Sequence, residues 1–254
     1  MEVHTVTCEN AEAARANLPL PSLSVYAVPS SENEFIVASN LRTNQDVADF
    51  WQIILEKNIN QIVMLSANDK VESKNYWSRN KTNTHGDIMV TAVSSTDLNK
   101  WTIRDIKVTN EKENISRQLQ QFQFTAWSGF NDEQTRKSFI SFVLEVRKRR
   151  KQSIVATATL VYCSSGRTGV FIVLDQIIQQ IEEGKTVDLY DTVYNIHTHG
   201  PQMVQTENQY IFLHQCALDL SKTENVNLDV YSEINDEPLY QTVDKSRYKP
   251  SQSS

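Results

Sequence analysis

Residues 154–182 constrain this chain more than any other stretch. Residues 154–161 are apolar and β-prone. Val170, Phe171, Leu174, Ile177, Ile178 and Ile181 then recur at helical spacing until Gly184 ends the pattern. Between the two runs lies Tyr162-Cys163-Ser164-Ser165-Gly166-Arg167-Thr168-Gly169. The spacing predicts strand, tight turn and helix, with a thiol at the strand end, a glycine in the turn and an arginine at the helix start. Helix N-terminal amides point outward unpaired, and the helix dipole adds positive potential there. Such a turn favours anions and lowers the pKa of a neighbouring cysteine. The chemistry suggested is thiolate attack on phosphorus, with Arg167 gripping phosphoryl oxygens bidentately. The plainer alternative is that Cys163 is a small core residue closing an apolar strand.

The flanking sequence has the pattern of an α/β domain. Residues 34–39 read as a strand, and residues 46–55 as an amphipathic helix with Val47, Phe50, Trp51, Ile54 and Leu55 on one face. Residues 62–66 are an apolar run, hence a buried strand. Further strands are predicted over 88–93, 101–108 and 117–125. In the last of these, Leu119, Phe122 and Phe124 suit one buried face and one wet face. A helix over 133–151 carries Phe139, Phe142, Val143 and Val146 on one side and ends in Arg147-Lys148-Arg149-Arg150-Lys151. That basic run complements the helix dipole and reads as a solvated end; a localisation signal or an anion-binding patch is the alternative. Another amphipathic helix is expected over 187–196. Pro19, Pro21 and Pro29 make residues 1–29 an irregular N-terminal segment.

Composition narrows the class. A chain of 254 residues suffices for one large domain with a sizeable core and a tail. A formal net charge of −6 argues against non-specific nucleic-acid binding. Cys8, Cys163 and Cys216 are scattered, odd in number and not at metal spacing, which indicates a reducing compartment. The first residues lack a basic-then-apolar pattern, and no apolar run is long enough to span a bilayer. The expectation is a soluble, cytoplasmic protein (nuclear access remaining open), with no cofactor and no metal. His197 and His199 form a His-x-His pair with no third ligand apparent.

The central stretch resembles the signature loop of the classical protein-tyrosine phosphatases, whose pattern is His-Cys, five residues, then Arg-Thr/Ser-Gly. Asp49-Phe50-Trp51 followed by residues 62–65, and Glu72-Ser73-Lys74-Asn75-Tyr76-Trp77, are similar to further segments of that family. So is Met203-Val204-Gln205-Thr206-Glu207-Asn208-Gln209-Tyr210-Ile211-Phe212. The resemblance implies a domain over residues 30–222, with a mixed, highly twisted sheet flanked by helices on both sides. It implies a nucleophile at Cys163, a phosphate-binding arginine at Arg167, and a phosphate loop through Ser164, Ser165, Gly166, Thr168 and Gly169. Gln205 would stand where the family positions hydrolytic water.

Three departures from the family pattern converge on that site. Tyr162 replaces the histidine. Only Ser164, Ser165 and Gly166 separate Cys163 from Arg167, which removes roughly 7 Å of chain contour from the phosphate wrap. In Phe124-Thr125-Ala126-Trp127-Ser128-Gly129-Phe130 the tryptophan of the family's Trp-Pro-Asp loop remains, but Ser128 takes the proline place and Gly129 the general-acid place. Glycine has no proton to transfer; Asp132, three residues on, is a weak substitute. The resemblance with these losses implies a pseudophosphatase that binds a phosphorylated protein or a protein kinase, or serves as a scaffold. The alternative is a low-activity phosphatase that still uses Cys163 and Arg167.

From residue 223 the chain turns polar and acidic, a composition that predicts disorder. Tyr231, Tyr240 and Tyr248 lie there. Tyr231 and Tyr240 each have an aliphatic residue three positions later, and Tyr231 has acidic neighbours. These are candidate phosphorylation sites for phosphotyrosine-reading adaptors, or incidental tyrosines of an acidic tail.

Overall fold

A computed structural model describes residues 24–29, 34–39, 41, 43–65, 82–151, 159–162, 165–200 and 203–222. Eight strands form one mixed sheet: β1 (Ser24–Pro29), β2 (Glu34–Ser39), β3 (Gln61–Met64), β4 (Asn83–His85), β5 (Ile88–Asp97), β6 (Trp101–Asn110), β7 (Ile115–Phe124) and β8 (Thr159–Tyr162). Their spatial order is β1-β2-β8-β3-β7-β6-β5-β4. The inner four, β2, β8, β3 and β7, run parallel, and antiparallel pairs extend the sheet at both ends. Five helices are described: α1 (Asn44–Glu56), α2 (Glu133–Lys151), α3 (Ser165–Glu182), α4 (Leu189–His199) and α5 (Glu207–Ser221).

The period of two along each inner strand builds two cores. Val63, Phe122, Phe124 and Val161 point to one side, where Phe139 and Phe142 of α2, Phe171 and Leu174 of α3 and Phe212 of α5 cover them. Ile62, Met64, Leu119 and Leu160 point to the other side, under Phe50, Trp51 and Ile54 of α1. Helices therefore flank both faces, as the sequence predicts. α1 starts two residues earlier than its apolar period suggests. Thr43 closes a capping box with Asp46, accepting from its amide at 3.1 Å while the Thr43 amide donates to Asp46 Oδ2 at 2.6 Å. At the far end of α3, Gly184 takes φ +66° and stops the helix.

Three local expectations are corrected. The described sheet begins at Ser24, inside the segment expected to be irregular; Pro29 is tolerated because it closes an edge strand that, among the described residues, pairs with β2 alone. β7 has no wet face over its C-terminal half: Gln121 and Gln123 are buried and both accept from Arg104 Nη1, at 3.1 and 2.8 Å. The basic end of α2 is not simply solvated. Arg147 is 1% exposed and pairs with Asp175 and Glu182 of α3, while Arg150 reaches Asp175 and Lys151 reaches Glu182. Lys148, Arg149 and Lys151 keep to the surface, Arg149 paired with Glu145.

Candidate active site

Strand register assembles the site before any side chain is considered. Met64 of β3 lies level with Tyr162 of β8 and Gln123 of β7. The next residues along these parallel strands therefore emerge together at one sheet edge, the edge at which α/β folds form their sites. From β3 comes Leu65 and from β7 the segment 125–132, beside the C-terminal end of β8 at Tyr162. Only Cys163 and Ser164 separate the end of β8 from the start of α3, and they lie outside the described residues. Ser165, Gly166, Thr168 and Gly169, expected in a phosphate loop, belong to the first turns of α3. The first four amides of a helix have no intrahelical acceptor.

Arg167, the third residue of α3, lies over the indole of Trp127 with its Cζ 4.8 Å from the ring centroid. Its Nη1 donates to the Leu65 carbonyl at 3.2 Å, and Trp127 Nε1 donates to the same oxygen at 2.8 Å. One backbone carbonyl thus fixes both side chains relative to β3. Trp127 is further held by Phe124, Phe130 and Phe139, at centroid distances of 5.2, 5.3 and 5.1 Å. Thr168, next to Arg167, is fully buried, and its Oγ1 has no hydrogen-bond partner among the described residues.

The segment after Trp127 is latched to the start of α2. Ser128 Oγ donates to Asp132 Oδ2 at 2.8 Å and lies 2.6 Å from Thr135 Oγ1; the Thr135 amide donates to Asp132 Oδ2 at 2.6 Å. Asp132 therefore caps α2. The hydrogen bonds from Thr135 and Ser128 hold its carboxyl below the usual carboxylate range. An acid kept ionised is the reverse of what leaving-group protonation needs. Gly129 takes φ +146°, which L-residues rarely adopt, although a Cβ there would meet nothing within 4 Å.

Beneath the first turn of α3 lies the segment that enters α5. Gln209 closes a capping box with Thr206, and its Oε1 also accepts the Gln205 amide at 2.6 Å. A Cβ on Gly166 would strike the Gln209 side-chain amide, and one on Gly169 would lie 2.6 Å from the Val204 amide nitrogen. Glycines let the two segments touch. The structure thus brings Arg167 and Trp127 together, and ties the Gln205 amide to Gln209, whose side chain lies under Gly166. Tyr231, Tyr240 and Tyr248 lie outside the described residues. The histidine pair is divided: His197 Nε2 meets the Met203 carbonyl, and His199 Nδ1 lies 2.9 Å from the Asn195 carbonyl. The Leu65 carbonyl escaped sequence reasoning because a backbone acceptor has no residue-type signature; only its place at the end of an apolar strand pointed to it.

A mixed α/β sheet whose parallel inner strands end together, with an arginine in the first turn of the helix that follows, is an architecture that can hold an anion at that edge. The chain belongs to the protein-tyrosine phosphatase family, which it matches over residues 23–219. It is 41% identical over 200 residues to receptor-type tyrosine-protein phosphatase eta of Gallus gallus, covering 77% of this chain and 14% of that protein. To the Homo sapiens protein of the same name it is 40% identical over 199 residues (76% and 15%). To phosphatidylinositol phosphatase PTPRQ of Homo sapiens it is 36% identical over 212 residues (81% and 9%). The chain thus spans less than a sixth of the length of these curated relatives. No described helix is long and apolar enough to cross a membrane.

Proposed function

We propose that this domain binds phosphotyrosyl protein, a phosphorylated partner or a protein kinase, without hydrolysing it. The observation that carries this reading is the segment 127–132. Gly129 stands at the expected acid position, and the nearest carboxylate in sequence, Asp132, is committed as an ionised helix cap. General acid–base help is worth about 10²–10⁴-fold, and tyrosyl oxygen leaves slowly without it. The short Cys163–Arg167 spacing acts in the same direction, because thiol and guanidinium must meet around one phosphate. Phosphotyrosine-reading adaptors would engage the tail tyrosines.

The test compares binding and turnover on the same protein. A phosphotyrosyl peptide is expected to bind, and to bind far more weakly to Arg167→Met. Its hydrolysis is expected to match that of Cys163→Ser. Hydrolysis abolished by Cys163→Ser would overturn the reading.

A second reading, a slow phosphatase, draws on the retention of Cys163 and Arg167 and on the identity to receptor-type phosphatases. It has its own signature. p-Nitrophenolate departs without protonation, so such an enzyme would turn over p-nitrophenyl phosphate while failing on phosphotyrosine.

A further inference from the structure

Helix α4 buries one stripe and displays another. Leu189, Val193 and Ile196 are buried, and Thr192 Oγ1 accepts from Gln180 Nε2 of α3 at 3.1 Å. Tyr190 and Tyr194 stand outside that stripe, one turn apart, 43% and 59% exposed. Their ring centroids are 6.3 Å apart and the ring planes are 13° from parallel. A single exposed tyrosine needs no explanation. Two stacked on successive turns form one flat aromatic surface, and an aromatic face attracts a cation.

The start of the helix makes this surface acidic. Asp188 is the N-cap, its Oδ1 accepting the Asp191 amide at 2.9 Å. Asp191 is exposed and precedes Tyr194 by three positions, so the two side chains are neighbours on the helix surface. Neither carboxylate has an ion-pair partner among the described residues, and Lys185, the nearest base in sequence, is tied to Glu183. The positive end of the helix dipole offsets about half a charge, which leaves the turn net negative. Tyr210 of α5 belongs to the same corner: burial raises its phenol pKa, and Asp188 and then Tyr190 raise it further.

We propose that this side of α4 is a docking surface for an arginine-bearing segment of a partner protein, whose guanidinium lies flat on the Tyr190–Tyr194 rings while its N–H groups reach Asp191. Near-parallel rings present one plane, which suits a planar guanidinium. A lysine ammonium is compact and strongly hydrated, and stacks on nothing. An apolar segment would cover the rings but strip water from unpaired carboxylates, at a desolvation cost. A second copy would bring the same acids to the same patch across a two-fold axis, where like charges repel. The formal net charge of −6 also favours encounter with a basic partner. No residue of this surface belongs to the Arg167 site, so the proposal stands whether or not that site turns over phosphotyrosine.

The test uses the 254-residue chain and two fluorescein-labelled peptides of equal length and charge, one of Gly-Arg repeats and one of Gly-Lys repeats, with polarisation reading their binding. The arginine peptide is expected to bind about fivefold more tightly than the lysine peptide. Tyr190→Leu combined with Tyr194→Leu is expected to bring the two peptides level, because leucine keeps an apolar stem and lacks the ring face. Asp191→Asn is expected to weaken both peptides and keep the preference. Equal binding of the two peptides by the parent chain, or no binding of either, overturns the proposal. So does a preference that survives the double variant, or binding that Asp191→Asn leaves unchanged. If melting shows that the double variant does not fold, Tyr194→Leu alone, at the more exposed position, is expected to lower the preference at least twofold, and an unchanged preference overturns the proposal. A Gly-Leu peptide that binds as tightly as the arginine peptide assigns the surface to an apolar partner and overturns it. A parent chain that sediments as a dimer, and as a monomer after Tyr194→Leu, places a second copy there and overturns it as well.

Discussion

Gly169 sits where helix α3 crosses the chain entering α5. A Cβ there would lie 2.6 Å from the Val204 amide nitrogen and 2.8 Å from Met203 Cα, backbone atoms that cannot swing aside. Gly169→Ala is expected to push the start of α3 away and destabilise the fold by about 1–3 kcal/mol, the range for overpacking. Gly86 is the control: its φ is +63°, and its Cβ would meet nothing within 4 Å. Gly86→Ala adds only left-handed backbone strain, about 1 kcal/mol. Denaturant midpoints measure both, and equal losses would show that close approach at Gly169 is not the constraint. Gly129 combines open space with a backbone unsuited to a side chain. Gly129→Asp is therefore expected to raise phosphotyrosyl-peptide hydrolysis by less than tenfold, because the carboxyl arrives on strained backbone and the Cys163–Arg167 spacing is unchanged. A gain of about 10²–10⁴ in kcat/KM would mean that the missing acid is the whole defect.

Helices α2 and α3 are joined by charge as well as by aromatic packing. Arg147 and Asp175 are each 1% exposed, with Nη1 and Oδ2 2.9 Å apart, and Glu182 joins from the half-buried rim. Removing one partner of such a pair costs about 3–5 kcal/mol, because the other charge stays buried. Arg147→Met should cost less than that, because Arg150 still pairs with Asp175, and combining it with Arg150→Met should bring the loss into the full range; no added loss in the double variant would show that Arg150 does not compensate. Burial alone would raise the pKa of Glu182, but hydrogen bonds from Lys151 and Arg147 outweigh it and the net shift is downward. A lowered folded-state pKa gives stability that is present above the ordinary carboxylate value and is lost as pH falls through the folded one. Melting temperatures should thus fall less steeply below about pH 4.5 in Glu182→Gln than in the parent. These helices also mark how far the sequence could be read. Their existence, their apolar faces and the stop at Gly184 followed from period and glycine chemistry. The partners of Arg147 lie 28 and 35 positions away on another helix, and no local pattern exposes them. The same holds for Gln121 and Gln123: polar residues on an alternating strand read as wet until the sheet order puts β7 in the interior, against Arg104. At the site, Arg167 and Trp127 were legible as residues. Their shared acceptor on Leu65 emerges only from the parallel register.

For the whole molecule, sheet order grades stability from the centre outward. Strands β8, β3 and β7 lie in the middle, covered by helices on one face and α1 on the other. Beyond Val90, β5 pairs only with β6 among the described residues, and its residues from Val93 to Asp97 are exposed. Local opening should therefore release the outer half of β5 long before the centre, whose amides exchange only when the domain unfolds. With global stability of about 5–15 kcal/mol, native-state hydrogen exchange should protect amides of β3 and α3 at least about 10³-fold more than those from Val93 to Asp97. Low denaturant should accelerate the first group and leave the second almost unchanged. The site makes this gradient consequential. Leu65, Trp127 and Arg167 lie in or just beyond the best-protected elements, so on the proposed reading a phosphotyrosyl ligand would meet a rigid floor and order only what stands above it. Ligand binding should then slow exchange in residues 126–132 without altering the β5 edge. Equal protection of β3 and the outer half of β5 would mean that the sheet opens as one unit, and the rigid-floor account of the site would fall with it.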